Sequence, residues 1–333
     1  MPGFELFGSA ERKEVNDVLD SGVLMRYGFD GMRNGHWKAK ELESELQEKL
    51  SVKHVQLVSS GTAAVSVAMA VAGIGAGDEV IMPTFTFVAS FEAIMMLGAI
   101  PVLVDIDDTL TLDPQAVEAA ITSKTKAIMP VHMCGSMADL NALTAICKKH
   151  NLLLIEDACQ AIGGTYNKKP LGSLGDVGCF SFDFVKTITC GEGGAVITNN
   201  ESYFKHADHY TDHGHDHEGL DRGAETHPFL GYNFRISELQ AAVGLAQARR
   251  LHDFVAIQKK HYTILRDALS VIPEVTFRTV PEGGEESYGF LNFFLPNLES
   301  ARKTANAFKQ SGVDACFHYF DNNWHYIRKW DHL

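Results

Sequence analysis

From residue 50 to 200 the chain alternates short apolar runs with amphipathic stretches. Positions 55–59, 79–82, 101–104, 126–129 and 152–155 are largely apolar runs of four or five residues between turn-forming positions, a length and setting that predict strands. Between them lie 62–71, 89–97, 114–121 and 138–150, where apolar residues recur at helical spacing. The third opens on Pro114, a residue suited to the first turn of a helix. Strands apolar on both faces and separated by helices predict an α/β fold, a mostly parallel sheet covered on both sides. Ligands of such sheets sit beyond the carboxyl ends of the strands. Ser60, Asp157 and Lys186 all fall at or just after those ends. Beyond Ser237 the pattern turns helical over 238–252 and 258–270. It then crosses a Pro/Gly/Glu-rich turn at 281–286 and an apolar stretch at 290–295, and becomes helical again near 301–311. A large unit, 1–235, and a smaller α+β unit, 236–333, are expected.

Composition narrows the function classes. A net charge of −13 over 333 residues argues against nucleic acid or an anionic membrane as partner. No apolar run reaches the roughly 18 residues of a membrane span, and the first residues lack the basic start and apolar core of a signal peptide. The six cysteines, at 134, 147, 159, 179, 190 and 316, form no CxxC pair. They read as reduced thiols, which places the protein in the cytoplasm.

The densest chemistry lies in 179–194, where Lys186 follows an apolar run and precedes the cluster Gly191-Glu192-Gly193-Gly194. Twenty-nine residues earlier, Glu156-Asp157 closes the run 152–155. A lysine and a carboxylate at two strand ends suit pyridoxal phosphate: the amine bonds the aldehyde, and the acid keeps the ring nitrogen protonated. Ser59-Ser60-Gly61-Thr62-Ala63 joins a strand to a helix start. Free N–H groups there would cradle a phosphate, although the same residues also suit a plain helix cap. Ser181 could add a hydroxyl to that phosphate, Phe87 could cover the ring or simply fill the core, and Gln160 lies one helical turn past Asp157. The glycines of 73–77 end a helix instead of opening one, so they read as a turn and not a dinucleotide site. His213, His215 and His217 alternate, but with a glycine between them and no further ligand at standard spacing no metal is expected. An active-site loop is the preferred reading.

These motifs together resemble the DegT/DnrJ/EryC1/StrS sugar aminotransferases. They stand here as Ser60-Gly61-Thr62, Pro83-Thr84-Phe85-Thr86-Phe87, Val104-Asp105-Ile106-Asp107, Glu156-Asp157-Ala158-Cys159-Gln160, Ser181 to Lys186, Gly191 to Gly194, and Gly231-Tyr232-Asn233-Phe234-Arg235. The resemblance implies the fold-type-I, aspartate-aminotransferase-like architecture with pyridoxal 5'-phosphate as cofactor and pyridoxamine phosphate as its intermediate form. It implies Lys186 as the attachment lysine, Asp157 as the pyridinium partner and Gln160 on the ring hydroxyl. Ser60, Gly61, Thr62, Ala63 and Ser181 would surround the phosphate, with Phe87 over the ring. Asn233 would reach the phosphate of a neighbouring subunit, hence a homodimer with shared sites.

A finer resemblance lies in 26–30, Arg33-Asn34, His36-Trp37-Lys38, 131–135, the histidine run and Asn322-Asn323-Trp324-His325. It is to family members that use L-glutamate, released as 2-oxoglutarate, to aminate the C8 aldehyde of 3,8-dideoxy-8-oxo-manno-octulosonate for lipopolysaccharide. Arg26, Arg33, Lys38, His36, His213, His215 and His325 would then meet the acidic keto sugar. A nucleotide-linked keto sugar is the alternative. The family normally continues past the position of Leu333, so an incomplete small domain is expected.

Overall fold

The computed structural model describes residues 3–218, 222–313, 315–321 and 323–331; Asn322 and Leu333 lie outside them. Two helices come first, α1 (Ser9–Ser21) and α2 (Lys38–Leu50), followed by the alternation expected from the sequence. That alternation runs β1 (His54–Val58), α3 (Gly61–Val71), β2 (Glu79–Pro83), α4 (Val88–Met96), β3 (Ile100–Val104), α5 (Pro114–Ala119), β4 (Thr125–Ile128), α6 (Leu140–His150) and β5 (Leu153–Asp157). The short strands β6 (Thr165–Tyr166) and β7 (Lys169–Pro170) precede β8 (Val177–Ser181), β9 (Gly194–Thr198) and α7 (Glu201–Tyr210).

Seven strands form one sheet in the order β1-β9-β8-β5-β4-β2-β3. Strand β9 runs antiparallel to both β1 and β8, while the other neighbours are parallel. Alternate residues of β1, β2, β4, β5, β8 and β9 enter two separate cores, while the edge strand β3 is partly exposed. Leu57, Ile81, Ile128, Leu154, Phe180 and Ile197 join one, with residues of α2 and α6. Val58, Val80, Met82, Ile155, Cys179 and Val196 join the other, with α3 and α4. This is why the strands read as largely apolar runs: a period of two with both faces buried leaves few polar positions, Gln56 and Glu156 among them.

The C-terminal part contains α8 (Glu238–Ala248), α9 (Leu251–Ser270), β10 (Thr276–Phe277), β11 (Gly284–Glu285), β12 (Phe293–Phe294) and α10 (Leu298–Gln310). The single helix expected over 238–252 breaks after Ala248, and α9 starts at Leu251. Helix α8 packs on α1 and α2, so it shares the layer of the large unit, although the expected division at 235 separates them. Among the described residues no helix is long and apolar enough to cross a membrane.

Candidate active site

Parallel neighbours β5 and β8 bring Asp157 and Ser181 to the same sheet edge, with Asp157 in register with Cys179. Asp157 is only 4 % exposed. Its Oδ2 accepts from the Ser90 hydroxyl at 2.8 Å, and its Oδ1 accepts from the Cys159 N–H at 3.2 Å. Ser90 is linked in turn to the Thr86 hydroxyl at 2.8 Å. A carboxylate held this way has a fixed direction in which to meet a cationic ring N–H.

Lys186 rides on a loop closed at its base by Phe182 N–H to Gly193 O and Cys190 N–H to Phe182 O, both 2.8 Å. The lysine is half-buried, and among the described residues its amine has no hydrogen-bond or ion-pair partner. Its charge is felt by Cys159, Cys134 and His325. An amine brought to a strand-end site and left unpartnered is available for bonding to a carbonyl.

Ser60 caps α3, its hydroxyl accepting from Ala63 N–H at 3.1 Å, while its carbonyl accepts from Ala64 N–H. The N–H groups of Gly61 and Thr62 come earlier in the first turn and have no intrahelical acceptor, which makes an anion cradle. Gly61 is required there, because a Cβ at that position would lie 2.6 Å from Ser181 Cβ. The cap and the cradle are therefore one structure.

The Gln160 carbonyl accepts from Cys134 N–H at 2.8 Å, leaving its NH₂ group as the donor toward the site. Phe87, at the N-terminus of α4, is 40 % exposed. An anion cradle, a free amine, a buried carboxylate and an amide donor fit the phosphate, aldehyde, ring nitrogen and ring hydroxyl of pyridoxal phosphate.

Residues 315–321 and 323–331 close one side. Trp324 O accepts from Val88 N–H at 3.1 Å, and Tyr326 bridges Phe85. His325 lies with its ring centre 5.8 Å from that of Phe87 and 5.3 Å from Tyr319. Burial, and then the nearby charge of Lys186, pulls its pKa down to about 4. Its ring is therefore neutral at pH 7, and its buried Nδ1 has no partner.

The DegT/DnrJ/EryC1/StrS aminotransferase family matches residues 7–332. The chain belongs to that family. A GDP-perosamine synthase from Vibrio cholerae is 38% identical over 265 residues, covering 79% of this chain and 69% of that protein. A 3-amino-5-hydroxybenzoate synthase from Amycolatopsis mediterranei is 36% identical over 310 residues, 91% of this chain and 77% of the relative. The crystal structure of a 3-amino-5-hydroxybenzoic acid synthase has a TM-score of 0.87 at 32% identity, covering 99% of this chain and 85% of that one. This is a pyridoxal-phosphate-dependent sugar aminotransferase.

Three expected substrate cations in this aminotransferase need correction. Arg26 bonds Glu43 at 2.5 Å. Arg33 donates to the carbonyls of Gly28 and Met25 and faces Glu238 at 3.4 Å. Lys38 sits between Glu14 and Asp17 at 2.6 and 2.7 Å. All three are at most 5 % exposed. Their charges are paired with internal carboxylates. His36 lies 3.9 Å from Asp17, His213 is exposed, and His215 faces Glu225 at 2.8 Å. Among the described residues no hydrogen bond, ion pair or ring contact links these three histidines to Lys186, Asp157 or His325. Asn233 is exposed, and its side-chain oxygen accepts from Arg235 N–H.

Sequence reasoning missed Ser90, Thr86 and Tyr319. Ser90 lies four residues past Thr86 of the 83–87 motif, a helical spacing that could have flagged it. Tyr319, whose hydroxyl is 2.8 Å from Cys134 Sγ, left no signal, because that pairing spans 185 positions. Glu156 has a structural role. It is fully buried against His132 Nε2 at 2.8 Å and accepts from the N–H groups of Gly172, Leu174 and Gly175.

Proposed function

We propose that this aminotransferase moves an amino group from L-glutamate to the C8 aldehyde of 3,8-dideoxy-8-oxo-manno-octulosonate, with Lys186 as attachment lysine and Asp157 as ring partner. When bound, pyridoxal phosphate supplies an electron sink and a temporary carrier for the amino group. The observation that carries the site assignment is the unpartnered amine of Lys186 at the edge where Asp157 is buried and α3 presents free N–H groups. Lys186 would hold the cofactor through its amine, and the same amine would take the proton from the α-carbon of glutamate. Proton transfer by a positioned base contributes about 10²–10⁴-fold. Asp157, aligned by Ser90, holds a proton on the ring nitrogen. Neutral His325 offers Nδ1 to a sugar hydroxyl without adding charge beside Lys186.

The sugar assignment rests on the finer sequence resemblance. The inward pairing of Arg26, Arg33 and Lys38 gives no support to their meeting the sugar's carboxylate. A nucleotide-linked keto sugar is the second reading, favoured by the 38% identity to a GDP-perosamine synthase. A homodimer sharing Asn233 is part of the proposal. Its support is the exposed apolar surface at Phe184, Val185, Leu230 and Tyr232, beside Lys186 and Asn233 in the chain. The test loads the protein with pyridoxamine phosphate and offers each keto sugar in turn. Return of the visible band of the lysine-bound cofactor with the octulosonate aldehyde alone supports the first reading. Return with a nucleotide-linked 4-keto sugar alone replaces it with the second.

A further inference from the structure

The histidine run carries one feature that the cofactor site does not explain. Both ring nitrogens of His217 face carboxylates: Nδ1 is 2.7 Å from Asp208 Oδ2, and Nε2 is 3.0 Å from Asp212 Oδ2. Two carboxylate acceptors require two N–H donors, so the ring is an imidazolium. Tyr27 stacks on it at 4.0 Å, interplanar angle 25°, and donates its hydroxyl to Asp208 Oδ1 at 2.9 Å. Behind Tyr27, Gln56 joins its hydroxyl at 3.3 Å and connects to Arg26, which is paired with Glu43. On the other side, fully buried Asp212 binds Arg222 at 3.0 Å and also Arg235, and its backbone bridges Asn233.

We propose that His217 is a positioning residue, a charged clasp that fastens residues 212–218 and 222–235 to the N-terminal segment through Tyr27 and so sets the placement of Asn233. The inference rests on the reading of Asn233 as a cofactor contact for a second copy of the chain. The clasp joins two stretches distant in sequence, Tyr27 and the 208–217 stretch, through a single ring. Asp208 and Asp212 face His217 directly, and Tyr27 covers one side. His209 and His215 lie with ring centres 6.4 Å away. Arg222 and Arg235 reach it through Asp212, Arg26 and Glu43 through Tyr27, and Glu225 and His227 through His215. Burial works against the charge, but the bonds to Asp208 and Asp212 outweigh it and hold the pKa up at about 9. A raised pKa means the clasp is complete below the ordinary histidine range and is lost as pH rises through about 9.

Hydrogen exchange of the 222–235 amides in the holoenzyme, corrected for intrinsic rates, reads the clasp. The affinity for pyridoxal phosphate at pH 7.5 reads its consequence. In wild type, protection of this segment should fall with a midpoint near 9. His217→Gln should lose about tenfold in protection at pH 7.5, with no further step at high pH, and should bind the cofactor about tenfold more weakly. Unchanged protection in that variant overturns the clasp. Lost protection with unchanged cofactor affinity overturns the positioning role. Should His217→Gln fail to fold, Asp208→Asn keeps the shape and removes one charge. It should lower the wild-type midpoint by about one pH unit, and an unmoved midpoint overturns the proposal. Asn233→Ala separates the two readings. Weaker cofactor binding with normal protection supports both, whereas unchanged binding overturns the shared-site reading while wild-type protection still reports on the clasp.

Discussion

Glu156 and Asp157 are neighbours in sequence with opposite tasks, because successive side chains of a strand point to opposite faces. Glu156 turns into the interior, where four donors hold it. Asp157 turns to the side of Ser90 and the site. Asp157→Asn keeps the shape and removes the charge that sustains a protonated ring. Turnover should drop by about 10²–10⁴-fold, the range for loss of a positioned proton-handling group, while the folded structure persists. Steady-state kinetics with circular dichroism checks this, and near-wild-type turnover would remove Asp157 from its role. The charged residues Arg26, Arg33 and Lys38 illustrate the limit at this scale. Cationic identity is legible in sequence, but the partner of a cation is not, since Lys38 meets Glu14 and Asp17 across more than twenty positions.

At the scale of elements, the N-terminus of α3 joins helix capping to phosphate recognition. Ser60 takes the third N–H of the helix, and the first two remain for an anion. Gly61→Ala would push Cβ to 2.6 Å from Ser181 Cβ and widen the cradle. Cofactor affinity should fall by about tenfold or more, measured by absorbance titration; unaltered affinity would place the phosphate elsewhere. The strands and helices of 55–155 were legible because buried strands are short apolar runs between turn-forming residues, and helices such as α6 are amphipathic, whereas α3 is apolar almost throughout. The antiparallel direction of β9 was not, since direction is set by its pairing with β1 and β8 and not by its own residues. The break between α8 and α9 at Arg249 and Arg250 was equally hidden, because both arginines suit a helix. Their fixing contacts are distant, Arg249 to Glu14 and Arg250 to Leu6 O and Glu11. The strand-end placement of Ser60, Asp157 and Lys186 was legible from the chain alone, because a parallel sheet puts its ligand edge at the carboxyl ends.

In the whole molecule, the N-terminal segment is fastened by buried ion pairs. Lys38, 2 % exposed, neutralises Glu14 and Asp17. Removing one partner of a buried pair costs about 3–5 kcal/mol, because the other charge stays behind. Lys38→Ala should therefore lower the unfolding free energy from urea titration by that order and leave the KM for the keto sugar near wild type. A raised sugar KM at unchanged stability would return Lys38 to the substrate site. The His217 clasp adds a pH dependence of its own, with stability present below the ordinary histidine range and lost through about 9.

The most direct measurement is borohydride reduction of the protein mixed with pyridoxal phosphate, followed by peptide mass analysis of wild type and Lys186→Ala. One reduced cofactor on the peptide containing Lys186 in wild type, and none on any peptide of the variant, is the expected result. Specific labelling of a different lysine, or equal labelling of the variant, would contradict the central assignment.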